Sequence, residues 1–495
     1  MIWINKNSDI KISDVVIVPK ENLITSSNGY KLKLLESKSI EDFNIVENLY
    51  YYELRNTNEQ IANIIYVVRK IDDVIFKFIT VKDSNTNFNI NVEISEDKLE
   101  NVKDFTEFDI EREYSSLVGI DKLKLPIGYY KDNQKNYIIS RTFKYRTLVK
   151  NYDNKNKSTI YELISQDSDL NNNKKTIKIE PNINADMYIV ESTQNLFDNE
   201  ESIEKYINLT NKNSSWYTFY GNNYKLQYSI DPFTREGYGK NLGRLIEEDT
   251  YKLSKEDTSI IFKALSKNAI FSLYNHTAMN KENNLWLTNY TSTWLSKDYD
   301  IKSYYIDTRF NETIGYMLLN LYYDTNNKRF LNSFINYADF IVKSWETESY
   351  LVLNNRILPD YFSDNHTLKT HSSFNHQLAL INYLFKAYEL TETEEYYKTA
   401  KEILNGLLGF GNSWIRENKD IWYEVNSKGE FTGTDYEIVT LDDMLYTQKY
   451  LYQFDKKVNE QLTKFIISKL EYLQTIKAEI PSSTQELIDK YIKLE

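Results

Sequence analysis

Residues 359–390, PDYFSDNHTLKTHSSFNHQLALINYLFKAYEL, join a polar, tyrosine-bearing loop to a regularly spaced apolar stretch. Phe374, Leu378, Ile381, Phe385 and Tyr388 recur at +4, +3, +4 and +3, which aligns them on one face of a helix. Ser372 or Ser373 suits the N-cap, because a hydroxyl can accept from the free amides of a first helical turn. Three of the four histidines, His366, His371 and His376, fall in the same stretch. A polar loop at the mouth of a rigid helix is where a site is expected.

Moving outward, the helix is one copy of a repeat. Leu319-x-x-Tyr322-x-x-Thr325 followed by Phe330 is matched, 66 residues later, by Phe385-x-x-Tyr388-x-x-Thr391 followed by Tyr396. Phe454, with Leu451 before it, continues the register towards the end of the chain. Other helical faces run through Phe330, Phe334, Tyr337, Ile341 and Trp345, and through Tyr396, Ala400, Ile403, Leu404, Leu407 and Leu408. Ser254 reads as the cap of a helix carrying Ile260, Ile261, Ala264, Leu265 and Ile270. Helix-turn-helix units of this size cannot bury their apolar faces singly and must stack. With long polar loops at 346–371 and 411–434, the expected outcome is an (α/α) toroid with one decorated face.

Upstream the period changes from 3.6 to two. Ile10–Ile12, Val15–Val18, Tyr30–Leu35, Asn48–Leu54, Ile61–Val68, Val74–Val81, Phe88–Ile94 and Tyr137–Phe143 are short β-branched and aromatic runs between polar turns. They predict an antiparallel, β-sandwich-like region with a binding or scaffold role. Asn151–Thr176 is rich in Asn, Asp and Lys and reads as a long surface connection. Strand-like runs resume at Ile177–Ile179, Met187–Val190 and Trp216–Tyr220. The expected organisation is a β-rich domain over 1–230, a crossover over 231–251 and the toroid over 252–495. Gly237, Gly239 and Gly243 in the crossover do not match the dinucleotide fingerprint and are read as structural.

Composition narrows the function classes. The 495 residues are 41% hydrophobic and 15% aromatic, as in a folded multidomain chain. A net charge of −12 argues against nucleic acid as the main partner. The absence of cysteine removes disulfides, thiol catalysis and cysteine-ligated zinc. No signal-peptide core follows the N-terminus, and no stretch approaches the ~18 apolar residues of a membrane span. The expected location is cytoplasmic, or in a virion if the chain is phage-encoded. No cofactor is expected. The histidine spacing of five and five does not put a pair on one helix face, as a zinc pair requires, so these are read as solvated loop and cap residues. Asp442-Asp443 reads as a first-turn pair that offsets the helix dipole. Arg309 reads as either a surface residue or a ligand for a sugar carboxylate.

Three motifs resemble the D-glucuronyl C5-epimerases. Asp360-Tyr361, a Ser-Ser-Phe helix entry and a helix ending in Tyr388-Glu389-Leu390 look like the family's acidic-Tyr loop and following helix. Trp422-Tyr423-Glu424-Val425 is similar to its second tyrosine motif, and Asp435-Tyr436 with Thr440 and Leu445 to its third. The matches span roughly residues 300–475. The family has a basic residue three positions after its second tyrosine, where this chain has Asn426, and proline where it has Phe362.

The resemblance implies a β-region followed by an (α/α) domain. It also implies epimerisation at C5 of a uronate residue by tyrosine-mediated removal and return of a proton. By that likeness Tyr361, Tyr423, Tyr436 and Asp360 are the catalytic candidates. Arg309, Arg356, Arg416, Trp422, Glu424 and Asp435 are the substrate-binding candidates. The implied partner is an anionic or cell-wall polysaccharide, with homo-oligomerisation allowed. The alternatives are a polysaccharide lyase, which shares the first proton abstraction, and a non-catalytic glycan-binding protein such as a bacteriophage tail or adsorption component.

Overall fold

The structure is a computed structural model. It describes residues 10–12, 15–17, 24–25, 30–56, 59–109, 111–153, 156–214, 216–363 and 368–492. Val18 and His366 lie outside these. The chain divides into two compact units. The first runs to Thr277 and includes Asn289–Thr293; the second comprises Ala278–Thr288 and Trp294 onward.

The first unit is an antiparallel sheet region. Tyr30–Asp42, Ile45–Arg55, Gln60–Ile71 and Val74–Lys82 run as a meander. Asn184–Ser192, Thr142–Asn151 and Lys157–Asp167 extend it. The first turn has only Phe43 and Asn44 between paired Asp42 and Ile45, both with positive φ, the geometry that keeps a two-residue hairpin in step with strand twist. A smaller sheet pairs Phe88–Glu93 with Lys174–Ile179 and, in parallel, with Val15–Ile17.

Both faces of the large sheet contribute to buried clusters. One face contributes Leu54, Ile64, Ile79 and Ile189 to a cluster shared with Phe88, Ile90, Ile177 and Ile179 of the smaller sheet. The other contributes Leu49, Val67, Phe78 and Val190 to a cluster shared with helices α1 (Glu200–Asn213) and α3 (Ile260–His276). Helix α2 (Glu248–Glu256) precedes α3.

Two elements differ from expectation. The segment 151–176 is not one surface connection: Lys157–Asp167 pairs with Thr142–Asn151, and Lys174–Ile179 is a strand of the smaller sheet. Its polar residues mask a strand that buries only Ser158, Ile160 and Leu163. Ser254 lies within α2, and α3 begins after Ser259. The unit also holds a polar cluster that the sequence did not signal. Fully buried Arg69 donates to Glu47, Ser272, Asn268 and the Phe219 carbonyl, and His276 Nε2 lies 2.8 Å from Glu47 Oε1.

The second unit is helical. Its helices are α4 (Thr293–Tyr299), α5 (Thr308–Thr325), α6 (Lys328–Thr347), α7 (Phe374–Thr391), α8 (Glu394–Leu408), α9 (Val439–Asp455), α10 (Glu460–Ile476) and α11 (Ser482–Tyr491). The sequence repeat coincides with this framework. Helices α5 and α7 stand 66 residues apart at both ends, and α6, α8 and α10 begin at that same interval. Each hairpin turns through one left-handed residue, Asn326, Glu392 or Lys456, that ends its first helix.

The paired helices differ in burial. α6 and α8 bury one stripe each, whereas α7 is buried almost throughout its first three turns, including Asn375, His376, Gln377 and Asn382. Close contact explains two glycines: a Cβ on Gly315 of α5 would meet the Tyr383 hydroxyl, and one on Gly406 of α8 the Arg356 carbonyl. Among the described residues, no helix is long and apolar enough to cross a membrane.

Candidate functional site at the N-termini of α5, α7 and α9

The polar residues of the opening stretch meet where α5, α7 and α9 begin. The link is a set of short backbone pairings. Ile306 and Asp307 pair with Phe362 and Tyr361, and the Asp360 N–H donates to the His371 carbonyl at 3.2 Å. Ser372 and Ser373 pair with Val425 and Glu424, and Trp422–Val425 forms a hairpin with Phe431–Thr434. The segments before α5, before α7 and before α9 therefore lie side by side.

Asp360 is the buried hub. Both its oxygens accept from the Ser373 N–H at 3.0 Å, and the Ser373 hydroxyl donates to it. The expected cap role is thus redistributed: Ser373 is the N-cap residue of α7 but caps no amide with its side chain, because its hydroxyl is turned to Asp360. His371 Nε2 lies 3.3 Å from Asp360 Oδ2 and 3.1 Å from Glu424 Oε2, and His376 Nδ1 lies 3.6 Å from Asp360 Oδ2. Burial raises the Asp360 carboxyl, but His376, His371 and Ser373 outweigh it, and the net shift is downward.

The two histidines are buried, not solvated as the sequence suggested. His376 accepts or donates at Nδ1 to the Thr308 hydroxyl at 2.8 Å, and burial brings it down to about 4. His371 moves the other way. Burial lowers it, yet Asp360 and Glu424 more than compensate and raise it above the ordinary histidine value. Its Nδ1 lies 3.3 Å from the Tyr299 hydroxyl. Neither nearby carboxylate is aligned with Nε2, which has no hydrogen-bond partner despite both ion-pair distances.

Aromatic rings enclose His371. Trp294, Tyr299, Tyr361 and Tyr423 have ring centroids 5.4, 5.8, 6.0 and 6.4 Å from it. Tyr436 meets Tyr423 edge-on at 5.9 Å and is 54% exposed, so this aromatic chain reaches solvent. Trp294, Tyr299, Tyr423 and Glu424 are half-buried. Burial, then the charges of Asp307 and Asp360, hold the Tyr361 hydroxyl well above the usual phenol range. Burial and Asp360 do the same at Tyr423. These phenols are hydroxyl donors at neutral pH.

The structure thus brings together Asp360, Tyr361, Tyr423, Glu424 and Tyr436. Arg309 lies beside them on α5 but is engaged by Asp443 at 3.1 Å and Glu312 at 3.6 Å. Asp443 accordingly serves as a buried partner of Arg309, while Asp442 stays in the first turn of α9 and accepts from Thr484. Asp435 bonds to Thr440 and, with Asp420, to fully buried Lys469, so it anchors the loop before α9. Arg416 stacks on Trp422 at 4.7 Å. Arg356 lies over the Trp345 ring and donates to Ser349, on the α6 side of the unit.

Sequence reasoning missed His371, His376, Asp307, Trp294 and Tyr299 as members of the site. Asp307 had a signal: it stands 66 residues before Ser373 and caps α5 by accepting from the Phe310 N–H at 3.0 Å. Burial and Asp360 raise its carboxyl to about 7. Among the described residues, no group of His, Asp and Glu is arranged to hold a metal ion.

No protein-family model matches the chain, and no curated protein does. Solved structures align with parts of it at low similarity. A GH76 alpha-mannanase from Bacteroides thetaiotaomicron shares 15% identity over 58% of this chain and 75% of its own, with a TM-score of 0.40. A D-mannose isomerase shares 13% over 49% and 61%, with a TM-score of 0.37. A cellobiose 2-epimerase from Bacillus thermoamylovorans shares 15% over 49% and 59%, with a TM-score of 0.36.

Proposed function

We propose that the helical unit is an (α/α) toroid-type carbohydrate-processing domain whose site transfers protons on a bound sugar. In its specific form the reaction is C5 epimerisation of a uronate residue within a polysaccharide. The observation that carries this reading is the convergence of Tyr361 and Tyr423 on the His371–Asp360 pair from separate segments, with Tyr436 edge-on to Tyr423.

The chemistry follows from the groups present. Half-buried Trp294 and exposed Tyr436 offer ring faces for a pyranose, and Glu424 can accept from sugar hydroxyls. Abstraction beside a carboxyl group leaves an enolate whose oxygens need donors already in place. Protonated Tyr361 and Tyr423 hydroxyls meet that need. Epimerisation also requires acid/base groups that can act on both faces of the ring.

A second reading, non-catalytic glycan binding, is supported by the same phenols. Burial and neighbouring carboxylates oppose their ionisation, so they are poor bases on their own. The test is incubation with polyglucuronate, polygalacturonate and alginate in deuterated water. Deuterium at C5 without chain cleavage supports the epimerase. Unsaturated chain ends support a lyase. Glycan binding without exchange on any of the three sinks both enzymatic readings.

A further inference from the structure

We infer that His371, rather than a tyrosine, carries the proton at this site, with Asp360 and Glu424 as the carboxylates that position it and set its charge. The inference rests on the proton-transfer reading above and names the group that performs it.

Three observations converge on His371. First, it occupies the centre of the aromatic enclosure, facing Trp294 and Tyr299 of α4, Tyr361, and Tyr423 of the hairpin. Second, its Nε2 is buried 3.1 Å from Glu424 Oε2 and 3.3 Å from Asp360 Oδ2 and is aligned with neither, so both carboxylates favour a proton there while leaving it free to be passed on. Unpartnered buried nitrogens are uncommon and call for an explanation, of which a reacting group is one. Third, the other candidates are held in a single protonation state. Burial and nearby negative charge keep Tyr361 and Tyr423 protonated, whereas burial keeps His376 neutral. The groups acting on His371 are Asp360, Glu424, Tyr299, Tyr361, Tyr423 and His376, and the two carboxylates raise its proton affinity.

The step balances with solvent water as the only co-reactant. Neutral His371 takes the C–H proton at Nε2, and the C–H electron pair moves into the adjacent carboxyl group as an enolate. The Tyr361 and Tyr423 hydroxyls hold the enolate oxygens. Solvent water on the open side of the sugar then protonates the carbon, and the imidazolium gives its proton to the hydroxide left behind. His371 is restored and the substrate is inverted.

The test is the pH profile of C5 deuterium exchange in the full chain. Exchange should rise with pH as His371 loses its proton, with the limb centred above ~6.5, the ordinary histidine value. His371→Gln should lower exchange by roughly 100-fold or more, the usual contribution of a general acid–base group, while polysaccharide binding persists. Glu424→Gln changes a half-buried side chain at lower risk to folding. By removing one negative charge it should move the limb to lower pH.

A His371→Gln rate within about threefold of wild type, or an unmoved limb in Glu424→Gln, overturns the inference. If exchange persists in His371→Gln but disappears in Tyr361→Phe or Tyr423→Phe, only the role of His371 fails. If the unaltered chain exchanges on none of the three polysaccharides, the proton-transfer reading fails and takes this inference with it.

Discussion

The two units each bury a carboxylate beside a histidine, and the two clusters are built differently. In the sheet unit Glu47 faces Arg69, whose guanidinium is also held by Ser272, Asn268 and the Phe219 carbonyl. Asn268, Ser272 and His276 stand at +4 and +4 along α3, one helix face devoted to this ion pair. In the helical unit Asp360 has no arginine of its own, and the ionisable groups beside it are two histidines, of which burial keeps His376 neutral. A guanidinium stays charged at any physiological pH, whereas an imidazole does not. The first cluster therefore locks a structure, and the second retains a charge that can change. The Glu47 cluster is also closed by packing, while the Asp360 cluster leads through Tyr423 to exposed Tyr436.

The contrast can be broken most sharply at Arg69. Arg69→Met leaves Glu47 buried without its permanent cation, and should cost about 3–5 kcal/mol in denaturant unfolding of the full chain. The transition of the sheet unit should move while glycan binding by the helical unit survives. Loss of binding with an unmoved transition would contradict the division of roles.

Acid titration gives the next largest effect. The folded value of His376 is about 4, below its ordinary ~6.5. Between these values the unfolded chain binds a proton that the native chain does not, so stability is complete above ~6.5 and falls as pH drops towards 4. The full difference is worth up to about 3 kcal/mol, and His376→Gln should flatten that limb in urea titrations. His276 is also lowered, chiefly by burial, and should account for part of what remains. His371 has the opposite sign. Its contribution is complete below ~6.5 and is lost as pH rises through its raised folded value. The depressed Asp360 contributes above the ordinary carboxylate value and loses its effect only below it.

Asp360→Asn should cost about 1–2 kcal/mol, because the amide keeps one acceptor for Ser373 but withdraws the charge from the start of α7. Its larger effect should be functional: a loss of negative charge beside His371 that lowers the exchange limb in pH. The smallest expected change is Gly433→Ala. At φ +83° its Cβ would come 2.8 Å from the Tyr423 Cβ, and the left-handed backbone costs about 1–2 kcal/mol for an L-residue. Its signature should be that modest loss of stability together with weaker glycan binding, because only the hairpin carrying Tyr423 has to shift.

Much of the helical framework was readable because its determinants are local. An apolar stripe, a capping residue and a two-residue turn all lie within a few positions of one another, and the 66-residue interval emerged from them. The sheet was readable in outline for the same reason, since alternation is a property of neighbours. Lys157–Asp167 escaped notice because its partners conceal only part of one face. In the candidate site, Asp360, Tyr361, Tyr423 and Tyr436 all stood out through resemblance. His371 did not: at five residues from His376 it shares no helix face with it, and its partners lie on other segments.

By itself, then, the sequence determined the 66-residue helical repeat, the apolar stripes of α6 and α8 and which tyrosines sit in the loops between helices. Those properties depend on residues within one or two turns. Tertiary structure alone decided that Asp360 turns to the start of α7, that Glu424 comes within 3.1 Å of His371, and that Arg309 is spent on Asp443. These outcomes depend on backbone pairings between segments tens of residues apart, and on burial, which determines the charge a histidine or phenol keeps.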